Sequence, residues 1–412
     1  MKSRIPAYPW VLLGLLTGFW GLVGLNRLGI TYLFPVIGKE FQLHGWQFGL
    51  LISGTSFTWA FSSWFFGWLG DQYGRRRVLL PGAALACVST AAMGGAWNFW
   101  SMFVVRDLVG VGDGVGWPNA QATLAAAFPA KRRALAHSIF TSGYPLFGTV
   151  LGGIIVTALA TALGWRPVFP IIGGVFLVVV LALYFVMREP PRQVSAESRP
   201  GLQWRPMLRV LRNRNVLLLM LVQAGALGWL QVTIGFGTLF LTEERGFALL
   251  AAGAIISIQG VAGLVGTLTL PSLSDFIGRK PAIFGGGVLS GICMTLYAFG
   301  SFNAVTSIVL FAASAFFIGV VIPLAAATCV VELVPEDAQG VSMGSINFVG
   351  VIIGTFALPL LAGVIADSFG LTSTIFLGAV CALLAGLLIL GIPETAPRVL
   401  DRREKEVVEA AP

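Results

Sequence analysis

Runs of about 20 or more apolar residues recur twelve times along this chain of 412 residues, and no other feature limits its fold as much. They fall near 9–36, 46–69, 78–97, 99–128, 137–162, 168–187, 214–241, 248–271, 282–300, 303–333, 341–366 and 373–392. In lipid each backbone N–H and C=O must find its partner within its own segment, so each run is expected to be a helix. The composition agrees: 56% of residues are hydrophobic and 11% charged, against about 25% charged in soluble domains. The predicted fold class is therefore an all-α membrane protein with twelve transmembrane helices. The first run extends from Tyr8 to Val36, too long for the apolar region of a signal peptide, and is expected to be a retained helix. A polar stretch carrying Arg188, Arg192, Arg199, Arg205, Arg209 and Arg212 divides the chain. The expected domains are an N-terminal six-helix bundle over 1–187, a cytoplasmic linker over 188–213, a C-terminal six-helix bundle over 214–392 and a cytoplasmic tail over 393–412.

The two halves share a loop. Gly67-Trp68-Leu69-Gly70-Asp71-Gln72-Tyr73-Gly74-Arg75-Arg76 returns about 204 residues later as Pro271-Ser272-Leu273-Ser274-Asp275-Phe276-Ile277-Gly278-Arg279-Lys280. Both lie between apolar runs. Gly74 and Gly278 suit a tight turn that a side chain would obstruct. Asp71 and Asp275 stand just before the next helix, where the macrodipole favours an acid. Arg75 and Arg279 open the basic run that follows. A second pair extends the repeat at an offset of about 206: Phe128-Pro129 with Gly143, Gly148, Gly152 and Gly153, against Val334-Pro335 with Gly344, Gly350 and Gly354. Both copies face one side of the membrane, so the halves are parallel repeats about the membrane normal.

The net charge of +8 alone would suit a nucleic-acid binder, but its placement excludes that. Lys39, Arg166 and Arg245 fall in the loops of one face, and Arg27 and Arg106 fall within helices. All other Lys and Arg residues lie on the opposite face, which the positive-inside rule makes cytoplasmic, with both termini. The expected location is a bacterial inner membrane, where basic loops meet anionic lipid. Cys87, Cys293, Cys329 and Cys381 sit in apolar runs without paired spacing and read as core residues. No phosphate-binding loop, metal cluster or nucleophile constellation appears. Gly110-Val111-Gly112-Asp113-Gly114 lies inside an apolar helix rather than after a soluble strand. No enzyme activity and no cofactor are expected.

The doubled loop, the twelve runs and the central linker resemble the major facilitator superfamily over the whole chain. Arg106-x-x-x-Gly110-x-Gly112 resembles its fourth-helix motif, and Pro393-Glu394-Thr395 and Arg188-Glu189-Pro190 resemble its end-of-half signature. Helix 5 departs from the drug antiporters: Gly148-Thr149-Val150-Leu151-Gly152-Gly153 lacks their proline. Arg106, Asp113, Trp117, Pro118 and Phe128-Pro129 are similar to the anion:cation symporters. Asp113 stands where that family usually has Glu, and Asn26 precedes Arg27 where it often has Asp. The resemblance implies two bundles around a cavity, monomeric and working by alternating access. It also implies that Gly67, Asp71, Gly74, Arg75, Asp275, Gly278 and Arg279 form gating loops that stabilise the outward-open state.

Charges inside a bilayer are costly and mark candidate sites. Arg27 lies in helix 1. Arg106, Asp107 and Asp113 lie in helix 4, where Arg106, Gly110, Asp113 and Trp117 are spaced along one face. Two arginines against one central acid favour an anionic substrate, and a guanidinium fork matches a carboxylate. The expected roles are Arg27 as substrate clamp, Asp113 as proton carrier and Arg106 as the group tuning Asp113's hold on its proton. Asp107 is expected to be a local partner of Arg106 or a packing group. Asn26, Trp117, Asn119, Tyr144, Gln231, Gln259 and Asn347 are candidate substrate contacts, while Trp20, Trp59 and Trp64 read as core or lipid-facing. The expected function is proton-coupled symport of a small organic carboxylate, driven by the proton gradient. The alternatives are an antiporter exporting amphipathic compounds and an organic anion exchanger or uniporter.

Overall fold

A computed structural model describes residues 7–189, 213–300 and 303–400. The linker residues 190–212 and the tail residues 401–412 lie outside the described residues. Twelve helices follow one another in the described residues, and eight stretches of helix among them are long and apolar enough to cross a membrane. The first six are α1 (Ala7–Phe41), α2 (Gly45–Tyr73), α3 (Arg75–Met93), α4 (Phe99–Ala127), α5 (Ala130–Pro145, a π-helical stretch Leu146–Leu151, then Gly152–Leu163) and α6 (Trp165–Val186). The second six begin with α7 (Arg214–Glu243), α8 (Leu249–Ile277) and α9 (Arg279–Phe299). Then α10 runs from Ala304–Ile318 through the π-helical stretch Leu324–Thr328 to Cys329–Leu333. The chain continues as Glu336–Gly350, a π-helical stretch Val351–Ala357 and Leu358–Leu388. Gly370 breaks that last segment with φ 82° and ψ 169°. α11 therefore ends before Gly370, and α12 covers 371–388. The helices sit where the apolar runs predict them. With these helices the protein is a multi-pass integral membrane protein.

The duplication is visible in backbone detail. The π-helical stretches of α5 and α11 lie about 205 residues apart. Gly74 and Gly278 share a left-handed φ of 106°, a conformation an L side chain resists. Each is faced by an acid from the end of its own half. Glu394 accepts from the Arg279 and Lys280 amides at 2.8 and 3.2 Å, capping α9. Glu189 accepts from the Arg76 amide at 3.4 Å, capping α3. The helix start leaves amides without partners, and a carboxylate satisfies them while complementing the macrodipole.

The two loops differ in how deeply they are held. Arg75 pairs with Asp71 on an exposed surface. Arg279 is nearly buried and reaches Asp275 at 2.7 Å, Glu332 at 3.2 Å and the Ser274 hydroxyl at 2.6 Å. Thr395 donates to the other Glu332 oxygen at 2.6 Å. The first half has Ala126 where the repeat offset would put this acid.

The chain forms two compact units, Met1–Arg199 with Leu241–Ser257, and Pro200–Phe240 with Ile258–Pro412. In the first, α4 packs against α2 and α3, and α1 against α5. Glycines set those distances: a Cβ on Gly24 would meet the Tyr144 carbonyl, and one on Gly112 would meet the α3 backbone. The segment 241–257 joins this unit through close backbone approach of Gly153 to Gly253, the Ile154 amide donating to Ser257 Oγ at 3.1 Å, and an exposed Lys39–Glu243 pair at 3.0 Å. In the second unit α9 packs against α10 and α12, around a core that includes Trp229, Ile283, Phe311 and Val321.

The cap geometry sets an unequal pair of outcomes. Glu394→Ala lowers stability by about 1–2 kcal/mol, and Glu189→Ala, which removes one long bond, by clearly less. Thermal unfolding in detergent measures both. Equal shifts would contradict the stronger cap on α9.

Candidate functional site

The charges of the first unit collect where α1, α2, α4 and α5 meet. Arg106 is buried, 2% exposed. Its guanidinium crosses to α1 and donates to the carbonyls of Asn26 at 2.7 Å and Arg27 at 2.5 Å. A buried charge needs such partners. Asp107 follows Arg106 in sequence and lies in its field, but forms no ion pair with it: the two terminal guanidinium nitrogens donate to α1 and Nε has no partner.

Arg27 is held differently. It is partly exposed. One guanidinium nitrogen donates to Ser56 Oγ of α2 at 3.2 Å. The group lies over the Trp59 ring, 5.0 Å from its centroid, a cation–π arrangement. Among the described residues no carboxylate lies within 4 Å of it. Arg27 is thus a cation inside the membrane, oriented by a hydroxyl and an indole, with donors still open.

Asp113 is fully buried, and neither carboxylate oxygen has a hydrogen-bond partner. Arg27 and Arg106 are the cations acting on it, and Asn26 is its polar neighbour. The Asn26 carbonyl oxygen is engaged by Thr90 Oγ1 of α3 at 2.8 Å, while its amide nitrogen has no partner. A buried carboxyl depends on the protein around it rather than on water, and here that means the Asn26 amide nitrogen and the two guanidinium groups.

Trp117 and Tyr144 belong to an aromatic cluster beside these charges. Trp20 lies 4.7 Å from Trp117, 5.6 Å from Phe140 and 5.5 Å from Tyr144, centroid to centroid. Arg27, Arg106 and Asp113 all act on Tyr144 electrostatically. The structure therefore brings together Arg27, Asn26, Arg106, Asp113, Trp117 and Tyr144. Gly110 does not share their direction: a Cβ there would meet Thr55 and Thr58 of α2. Asn119 holds a different junction, its amide donating to the carbonyls of Val115 at 2.8 Å and Phe66 at 3.3 Å, against Gly70.

In the second unit Gln259 is buried with its carbonyl oxygen unpartnered, Gln231 is half-buried and Asn347 is exposed. Trp229 donates to Ser314 at 3.1 Å, which is bonded to Ser290. These residues supply polar groups and no charge. Two side chains that hold the cation were not foreseen as site residues, Ser56 and Trp59, nor was Trp20, which packs on Trp117 and Tyr144. Ser56 and Trp59 share an α2 face at i, i+3 spacing, and that small polar–aromatic pair is the signal that marks them.

Comparisons with known proteins fit this architecture. The Major Facilitator Superfamily model matches residues 19–357 and again 231–412. The chain is 26% identical over 373 residues to the hexuronate transporter of Bacillus subtilis, covering 86% of this chain and 87% of that one. It is 31% identical over 264 residues to the multidrug resistance protein MdtG of a Rahnella species, covering 62% and 60%. The fold matches the crystal structure of a bacterial homolog of the human lysosomal transporter Spinster in an inward-facing, unoccupied conformation, with a TM-score of 0.83, 19% identity, and 94% and 97% coverage.

Arg106 ties α4 to α1 through two carbonyls. Arg106→Gln leaves α1 carbonyls without their buried partner and lowers stability by about 1–3 kcal/mol, read as a fall in melting temperature. An unchanged melting temperature would mean that these bonds do not hold α1 to α4.

Proposed function

Because the chain belongs to the Major Facilitator Superfamily, a family of transporters rather than enzymes, we propose that it is a proton-coupled symporter of a small organic anion. The observation that carries this reading is Arg27, an oriented intramembrane cation with no carboxylate partner among the described residues. An anion is the missing partner. A carboxylate suits the guanidinium fork, and the Trp59 face keeps that fork aligned. The hexuronate transporter of Bacillus subtilis, by its name a carrier of sugar acids, supports this class of cargo.

Asp113 carries the proton in this reading. Its carboxyl is buried beside Arg27 and Arg106, which makes it the group placed to bind the proton in this reading. Anion binding at Arg27 withdraws part of the positive field that favours ionised Asp113 and strengthens its hold on the proton. Release of the anion restores that field and favours release of the proton. Anion and proton therefore move together by mutual electrostatics, with the proton gradient as the energy source and no cofactor. Alternating access carries them across, and the loops around Asp71 and Asp275 lie on the cytoplasmic side with the termini. Asn26, Trp117 and Tyr144 are the groups of the first unit available to read the rest of the substrate. A monomer in a bacterial inner membrane completes the picture.

The likeness to MdtG favours a second reading, in which Asp113 exchanges a proton for an exported amphipathic compound. The readings diverge at Arg27. Arg27→Lys keeps the charge but loses the fork and the stack. On the symport reading it raises the KM for the anion about tenfold, roughly 1.4 kcal/mol, with little change in melting temperature. Wild-type affinity in this variant would remove the anion clamp and leave the antiporter reading standing.

A further inference from the structure

The residues Phe103, Asp107, Gly110 and Gly114 line the side of α4 that faces α2. Asp107 is the one titratable residue in this row. It fits a notch left by Gly54: a Cβ there would stand 2.7 Å from Asp107 Oδ1 and 2.7 Å from the Phe103 ring. Oδ1 is buried and has no hydrogen-bond partner. No cation of the described residues lies within 4 Å of this carboxylate. The groups on this seam between α2 and α4 are few. From α2 they are Gly54, Thr55 and Thr58, and the Thr58 hydroxyl donates to the Gly54 and Thr55 carbonyls instead. From α4 they are Phe103 and the adjacent Arg106, whose guanidinium is committed to α1. Arg106 is the one charged group acting on Asp107.

An ionised carboxylate held there lacks a donor, a cation and water on its buried side. A proton relieves all three deficits, and the side chain is half-buried rather than sealed. Asp107 is also separate from Asp113. Six residues of helix put them about 9 Å apart along the axis and on different sides of α4. Asp113 meets α1 through Asn26, and Asp107 meets α2.

We propose that Asp107 is a second proton-binding site, titrating independently of Asp113. It takes a proton from the water on the far face from the Asp71 loop and releases it on the loop face. Its use in transport rests on the symport reading above; its existence as a site rests on the geometry of the notch. Two protons moving with one monocarboxylate carry one net positive charge, whereas one proton would make the cycle electroneutral.

Infrared difference spectra of the purified protein across a pH titration test the site without any substrate. The expected result is a titrating carboxylic C=O band that is absent in Asp107→Asn and present in Asp113→Asn. A spectrum unchanged by Asp107→Asn overturns the proposal. Asp107→Leu gives the same answer if the amide variant inserts poorly. Charge and label uptake measured together in proteoliposomes, with each monocarboxylate the wild type accumulates, test its use. The expected ratio is one charge per anion in the wild type and none in Asp107→Asn. An electroneutral wild type overturns the second proton and leaves Asp113 standing. Absence of any proton dependence in the wild type instead overturns the symport reading itself.

Discussion

The first unit depends on Arg106 reaching from α4 to the carbonyls of Asn26 and Arg27 on α1. In a bilayer a guanidinium has no water to turn to, so this contact ties α4 to the stretch of α1 from which Arg27 projects. Once Arg106 is committed to backbone oxygens, neither Asp107 nor Asp113 is neutralised by an ion pair. The three remaining charges are left in three different states. Arg27 is oriented by Ser56 and Trp59 with donors open, Asp113 is dry and unpartnered, and Asp107 sits in the Gly54 notch. A salt-bridged cluster would be a stable lock. This arrangement leaves charges that an anion and protons can complete.

Glycine makes that arrangement possible. Gly24, Gly110 and Gly114 let α1, α2, α4 and α5 approach until backbones touch, and Gly54 leaves room for the Asp107 and Phe103 side chains. Lipid tails give apolar helices little reason to associate, so close backbone contact and polar bonds between helices must supply it. At the loop face the same economy is repeated with carboxylates. Glu189 and Glu394 close the starts of α3 and α9, and the deeper Arg279 network makes the second copy the firmer of the two.

Much of this is legible in the sequence, because a membrane reduces the choices. Twelve apolar runs can be little other than twelve helices, and the doubled Asp71 and Asp275 loops carry the duplication. Arg27, Arg106 and Asp113 stand out because charges are scarce in apolar runs. What sequence spacing does not convey is direction. Arg106 shares a helical face with Asp113, which suggests a partnership, yet its long side chain finds carbonyls on α1. Asn119 reads as a cavity group, but its amide bonds within the α2–α4 junction near Gly70. Trp59 reads as one aromatic among many, and its role follows only from lying over a cation. The Leu241–Ser257 segment clusters with the first unit, and this too rests on contacts distant in sequence.

The central claim is that an anion at Arg27 and a proton at Asp113 move together. Substrate-driven proton entry into proteoliposomes, followed with an internal pH-sensitive dye, tests it most directly. The panel would hold monocarboxylates, dicarboxylates, sugar acids and cationic drugs, each repeated with Asp113→Asn. The account predicts internal acidification with one class of carboxylate, lost in the variant. Acidification unchanged in Asp113→Asn, or a response confined to the cationic compounds, would contradict it.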